Sequence, residues 1–137
     1  DGRWIVGYRI DPGSGRDLWR ISVDGVAPSE PLLRAPGQQA NPDVSPDGRL
    51  VAYQSDESGR PEIYVRAYPS GERKWQVSTS GGTSPVWNRR GGELVWITEN
   101  GLWSASVSSS GADFAVGAQR LVAQGDPLGL ELSLSGA

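Results

Sequence analysis

Short runs rich in hydrophobic residues recur along the whole chain, and turn-forming residues separate them. Leu50-Val51-Ala52-Tyr53 and Glu62-Ile63-Tyr64-Val65 are two such runs. Runs of this length between glycine, proline, asparagine and aspartate are typical of β-strands. No window has the hydrophobic spacing and capping residues of an amphipathic helix. The pattern therefore predicts an all-β protein with almost no helix.

The runs form an internal repeat with a period of about 44 residues. Asp47-Gly48-Arg49-Leu50-Val51 matches the first residues of the chain at an offset of 46, and matches Gly91-Gly92-Glu93-Leu94-Val95 at an offset of 44. Four strands at this period are the pattern of a β-propeller blade. The sequence thus predicts a single partial propeller domain, 1–137, with about three four-stranded blades per chain. The predicted units are about 1–40, 41–83 and 84–124.

The connections between the runs predict which ends of the strands carry variable loops. Pro46-Asp47-Gly48 suits a tight link between the first two strands of a blade, because proline fixes φ and glycine accepts a positive φ. Asn100-Gly101 is a strong hairpin signal for the next connection. The equivalent connections are longer at Asp11 to Arg16 and at Asp56 to Pro61. We expect these loops and the links between blades to share one face of the propeller, here called the loop face.

The middle unit closely resembles the TolB-like propeller repeat, a relative of the WD-type repeat. The resemblance lies in Pro42 to Tyr53 followed by Glu62-Ile63-Tyr64-Val65. The flanking segments Lys74 to Ser78 and Gly81 to Trp87 resemble the propellers at the C-terminal end of bacterial serine/threonine kinases. The third unit departs from the pattern, with Asn88 to Gly92 where the family has Ser-Pro-Asp-Gly.

This resemblance implies a closed ring of six or seven blades, so three units would be half of a six-bladed ring or a fragment of a larger propeller. The likeness to the kinase propellers implies a sensor or interaction domain outside the membrane, in the periplasm or at the cell surface. The domain would then bind a ligand, and any catalysis would belong to another domain.

Composition and charge exclude several functional classes. The net charge is −3, and the 13 basic residues are scattered, so no basic stripe is present to bind the phosphates of a nucleic acid. The absence of cysteine and histidine excludes thiolate or imidazole zinc sites, disulfides and serine–histidine triads. Gly13-Ser14-Gly15 has Leu18 where a dinucleotide fingerprint needs glycine. We therefore expect no enzyme activity, no cofactor, no metal and no insertion into a membrane.

Several residues are candidates for ligand contact, although solvated turns and core packing explain the same residue types. The charged loop around Asp56 is matched by a similar loop in the first unit, and either could be a ligand-contacting rim. Trp4, Trp19, Trp96 and Trp103 are expected to fill the space between blades, whereas Trp87 is expected near the central channel. Asp43 and Asp47 are expected to cap a turn, because the calcium-loop order is absent. The predicted binding residues are Asp11, Arg16, Gln39, Asn41, Asp56, Glu57, Arg60, Thr83 and Trp87.

These residues predict a non-catalytic binding or scaffold module whose loop face recognises a protein, a peptide or a glycan. The alternative is the substrate-gating propeller of a peptidase or another hydrolase. A nucleophile elbow and a downstream histidine elsewhere in the protein would favour the hydrolase, and a kinase domain followed by one apolar span would favour the sensor.

The two ends of the chain predict an assembly. The first unit begins at its second strand, whereas Leu130 to Ala137 alternates like a half-buried strand. The tail, 125–137, is therefore expected to complete a first blade, and two chains could close a six-bladed ring as a homodimer by strand exchange. A fragment of a larger single-chain propeller is the alternative.

Overall fold

The computed structural model describes residues 3–69, 72–110 and 113–124, and the backbone of 133–134. The regular secondary structure in these ranges consists of strands only, which confirms the all-β prediction. The strands are β1 (Trp4–Asp11), β2 (Gly15–Ser22), β3 (Glu30–Leu33), β4 (Gln39–Val44), β5 (Leu50–Ser55), β6 (Glu62–Ala67), β7 (Lys74–Gln76), β8 (Thr83–Trp87), β9 (Glu93–Thr98), β10 (Gly101–Ser110), β11 (Asp113–Gln124) and β12 (Ser133–Leu134).

The strands form three antiparallel sheets that follow one another along the chain. The first sheet has the order β1-β2-β3, the second β4-β5-β6-β7 and the third β8-β9-β10-β11-β12. Within each sheet, strands that are consecutive in the chain pair with one another, as in the blades of a propeller. The middle sheet has the four strands predicted, and the described strands number three in the first sheet and five in the third.

The fifth strand of the third sheet comes from the tail of the chain. Ser133 pairs with Gln124, and Leu134 pairs with Ala123. In the single chain this part of the tail lies beside β11 as the outermost strand of the third sheet. This pairing within one chain does not test whether the tail, 125–137, completes a first blade. The rest of 125–137 lies outside the described residues, so exchange of the tail between two copies stays a prediction.

The structure corrects by one residue the sequence match of the second strand of the third unit. The Ser45 N–H donates to the Leu50 carbonyl at 2.8 Å, and the Asn88 N–H donates to the Glu93 carbonyl at 2.9 Å. These equivalent bonds align Leu50 with Glu93, an offset of 43, whereas the sequence match of Asp47 to Val51 with Gly91 to Val95 has an offset of 44. Because a shift by one residue moves every side chain of a strand to the opposite face, the correction decides which side chains face the second sheet.

Two hydrophobic clusters join the sheets. The larger lies between the second and third sheets and includes Leu50, Ala52, Ile63, Val65, Val77, Trp87, Leu94, Trp96, Ala105 and Phe114. The smaller joins the first and second sheets through Leu18, Tyr53 and Tyr64. The core prediction is confirmed for Trp96, which is 1% exposed, whereas Trp4, Trp19 and Trp103 are half-buried.

Each sheet thus has a forward face, toward the sheet that follows in the chain, and a backward face. Ile63 belongs to the forward face of the second sheet, and Trp96 belongs to the backward face of the third. A Cβ added to Gly82 would lie 2.8 Å from Ile63 Cγ1 and 2.9 Å from Trp96 Cδ1. The forward and backward faces of neighbouring sheets therefore pack together without spare room.

Candidate binding surface

The long connections and the links between sheets do meet at one end of the structure. The Arg16 N–H donates to the side-chain oxygen of Gln38, in the link before β4, at 3.2 Å. The Gly82 N–H, in the link before β8, donates to the Pro61 carbonyl at 3.0 Å. These contacts place the predicted loop face at the end of the sheets where β1, β5 and β9 finish.

Asp11 and Arg16 shape the loop of the first sheet. Asp11 Oδ1 accepts the N–H groups of Gly13 at 2.8 Å and Ser14 at 3.4 Å. These two bonds lower the pKa of Asp11, with a smaller contribution from nearby arginines. The guanidinium of Arg16 lies 5.3 Å from the centre of the Tyr8 ring. Asp11 therefore caps its own turn, while the side chain of Arg16 lies at the surface.

The charged loop of the second sheet also holds the structure together. Asp56 Oδ1 accepts the Gln38 N–H at 2.7 Å. Glu57 pairs with the ammonium group of Lys74 at 2.7 Å. Arg60 donates to the Thr79 carbonyl at 2.6 Å. The three acidic and basic side chains at 56, 57 and 60 thus all fasten this loop to other segments.

The sequence analysis expects the joint replacement of Asp56, Glu57 and Arg60 by alanine to weaken binding and to leave the melting temperature nearly unchanged. Because these three side chains fasten the loop to other segments, we instead expect the melting temperature to fall. The triple variant should lose about 2 kcal/mol of unfolding free energy, since a backbone N–H and a carbonyl lose charged partners. Thermal unfolding followed by circular dichroism measures the loss. An unchanged melting temperature would show that these contacts contribute nothing to stability.

Glu62 is a buried carboxylate that anchors the link before β8. It is 2% exposed and accepts the Gly81 N–H at 2.9 Å and the Ser78 hydroxyl. Arg60 Nε lies 3.0 Å from Glu62 Oε1, and the guanidinium balances the charge of the carboxylate. Because the bond to Gly81 holds the backbone of the link and the other two tie Glu62 to Ser78 and Arg60, Glu62 has a structural role beneath the loop face.

Two of the predicted binding residues are buried, which corrects their assignment. Gln39 is 0% exposed, and its amide donates to the Pro36 carbonyl at 3.0 Å. Trp87 is 3% exposed, and its indole N–H donates to the Asp43 carbonyl at 2.8 Å. Both side chains fill space between elements, so neither can contact a ligand from the surface.

Arg60 and Thr83 come together in a surface depression of about 430 Å³ between the second and third sheets. We call it the loop-face hollow. It is lined by Arg60, Pro61, Ser80, Gly81, Gly82, Thr83, Ile97, Thr98 and Glu99. Apolar side chains and glycine backbone form part of the lining, and the rim carries charges of both signs. Hollows with this mixed lining are typical ligand sites.

Asn41 lies apart from that hollow, on the innermost strands. It has a φ of 50°, and Ser84 at the corresponding place in the third sheet has a φ of 52°. Gln54 Oε1 accepts both the Asn41 amide at 2.6 Å and the Ser84 N–H at 2.9 Å. These left-handed residues sit at irregularities in the pairing of β4 and β8, where the strands bend. The bend leaves Asn41 exposed beside Ser84.

Asp43 has a role that the sequence analysis missed. Its Oδ2 accepts the Trp87 N–H at 2.8 Å and the Arg89 guanidinium at 2.5 Å, so it joins the second sheet to the third. Asp47, by contrast, does cap its turn through the Ser45 hydroxyl at 2.6 Å. The Ser45 hydroxyl is the main cause of the lowered pKa of Asp47.

Within the described ranges, no three His, Cys, Asp or Glu residues are grouped as they would be around a metal ion. No helix of the described residues is long and apolar enough to cross a membrane.

Comparison with known proteins agrees with this geometry. A putative TolB of Agrobacterium tumefaciens superposes with a TM-score of 0.64 at 19% identity, over 88% of this chain and 47% of that chain. TolB of Acinetobacter baumannii superposes with a TM-score of 0.62 at 15% identity, over 98% of this chain and 30% of that chain. The chain has the TolB-like β-propeller fold.

Similarity in sequence covers a smaller part of this chain than similarity in structure does. The Tol-Pal system protein TolB of Bordetella pertussis is 33% identical over 55 residues, which are 40% of this chain and 13% of the relative. TolB of Bordetella parapertussis shows the same identity over 12% of its length. No family model matches the chain. The chain thus spans less than half of the length of these TolB proteins.

Proposed function

We propose that the chain is a non-catalytic binding module whose loop-face hollow recognises a peptide segment of a protein partner. The single observation that carries this proposal is the convergence of Arg60, Thr83, Ile97 and Glu99 in one depression of about 430 Å³. An apolar floor with charges of both signs at its rim suits a short peptide, which presents apolar side chains together with backbone polar groups.

The bonding of the charged groups supports a role in binding without catalysis. Asp11 and Asp56 accept backbone N–H groups, and Glu62 is buried beneath Arg60. A general acid or base must reach the reacting atoms of a substrate with a proton or a lone pair. These carboxylates instead use their oxygens to hold turns and links in place.

We further propose that the chain acts outside the cytoplasm and associates as a homodimer. The likeness to TolB and to the kinase propellers supports the location. Uncovered apolar side chains on the two outermost sheet faces support the self-association, since Ile5 is 58% exposed and Val86 is 54% exposed.

A phage-displayed library of random peptides, selected on the immobilised chain, tests the binding site. We expect one enriched peptide family, and calorimetry with a synthetic member should give at least a tenfold higher Kd for Thr83→Arg and for Glu99→Arg. Thr83 lies in a strand, whereas Glu99 lies in an exposed turn, so the second variant keeps the test valid if the first misfolds. The peptide should remain intact by mass spectrometry.

Glu72→Ala is the matched control, because Glu72 lies in the exposed turn between β6 and β7, at the opposite end of the second sheet. Its Kd should stay within about twofold of the wild-type value. The proposal fails if no peptide family is enriched, if both hollow variants bind like the wild type, or if a glycan array alone gives binding.

A further inference from the structure

Part of the forward face of the third sheet is apolar, and no other sheet of the described residues packs on it. Val86, Val95, Ile97 and Leu102 line a depression of about 400 Å³ on this face. Val86 pairs with Val95, and Leu102 pairs with Ile97, so the four side chains form one continuous patch. We call it the forward patch.

The backward face of the first sheet is the second uncovered apolar surface. Ile5 and Ile21 are cross-strand partners and are 58% and 47% exposed. Trp19 lies on the same side of β2 as Ile21, opposite Leu18, because side chains alternate along a strand. Arg9 and Arg34 flank the Trp19 ring at 5.0 and 5.4 Å from its centre. We call Ile5, Trp19 and Ile21 the backward patch.

The packing inside the chain shows what covers such faces. Trp19 pairs with Gly7, Tyr64 with Tyr53 and Trp103 with Trp96, so the three aromatic residues occupy equivalent positions. Tyr64 packs against Leu18 of the first sheet, and Trp103 packs against the cluster that includes Ile63 of the second sheet. An aromatic side chain at this position therefore fills the forward face of the preceding sheet.

The two patches are complementary by the same relationship. Leu102 pairs with Ile97, the residue after Trp96, and Ile63 pairs with Gln54, the residue after Tyr53. Leu102 and Ile63 are therefore equivalent. The forward patch thus offers the surface that receives an aromatic side chain, and the backward patch offers Trp19. Both patches belong to one chain and lie on its first and third sheets.

We infer that the forward patch of one copy binds the backward patch of a second copy, with Trp19 entering the hollow lined by Val86 and Leu102. This inference rests on the proposed homodimer and assigns its contact to sheet faces instead of to exchanged tails. A two-fold axis repeats the contact, so one dimer buries both patches of both chains. Burying the same faces that join the sheets within a chain gives a continuous ring of blades.

Paired single variants of the full chain test the inference by light scattering. Ile21→Lys alters the backward patch, and Val86→Glu alters the forward patch. Each variant alone should be a monomer of 14.6 kDa, because both contacts of its dimer place a charge in an apolar interface. An equimolar mixture should return to twice that mass, since one contact is then wild type and the other joins lysine to glutamate.

Val26→Glu is the control, because Val26 is 85% exposed in the turn between β2 and β3 and belongs to neither patch. It should dimerise like the wild type. A monomeric wild type would overturn the homodimer and this inference together. A dimer that persists in both patch variants, but dissociates on deletion of 130–137, would overturn the face contact and leave the homodimer by tail exchange.

Discussion

Trp96→Ala is expected to lower the free energy of unfolding by about 3–5 kcal/mol, as removing a large aromatic side chain from a core does. Trp96 is 1% exposed and lies in the cluster between the second and third sheets. A Cβ at Gly82 would lie only 2.9 Å from Trp96 Cδ1, so the link before β8 packs directly against the ring. The loss should therefore combine the lost burial with a cavity that closes poorly.

Urea unfolding followed by circular dichroism measures this loss, with Val26→Ala as the control. Val26 is 85% exposed, so its replacement should change the unfolding free energy by less than about 0.5 kcal/mol. A loss below about 1 kcal/mol for Trp96→Ala would contradict the packing of the second sheet on the third.

Gly101→Ala is expected to lower the unfolding free energy by about 2–5 kcal/mol, because two separate penalties add. Gly101 has a φ of 137°, which L-residues rarely adopt, and a Cβ there would lie 2.0 Å from the Ala123 carbonyl oxygen. The clash is with backbone of β11, so β10 and β11 must separate to relieve it.

Gly59→Ala is the matched control for this substitution. Gly59 also has a positive φ, 107°, but a Cβ there meets no atom within 4 Å. It should lose only the conformational penalty, about 1–2 kcal/mol. Equal losses for the two variants, measured by thermal unfolding, would contradict the close approach of β11 to Gly101.

The strands and turns of the chain could be predicted because their signals are local. Pro46-Asp47-Gly48 forms the predicted tight turn, with Gly48 at a φ of 74°. The second strand of the third unit was misaligned by one residue because Gly91 and Gly92 both match a single turn glycine in sequence. The hydrogen bond from the Asn88 N–H to the Glu93 carbonyl shows which alignment the backbone follows.

The binding surface was less predictable because its contacts are distant in sequence. Arg60 and Thr83 were proposed separately and do share one hollow. Gln39 and Trp87 were proposed for their positions at the innermost strands, and nothing local shows that neighbouring segments bury them. Asp43 joins Arg89 across two sheets, a contact that depends on how the blades pack together.

The most direct test of the proposed binding module is a titration of the ¹⁵N-labelled chain with the selected peptide, followed by amide NMR shifts. The account predicts that the shifted amides cluster in the loop-face hollow, at Arg60, Gly81, Gly82, Thr83 and Glu99. Amides of the opposite turns, such as Gly48 and Gly91, should not move. Shifts confined to those opposite turns, or spread evenly over the three sheets, would contradict it.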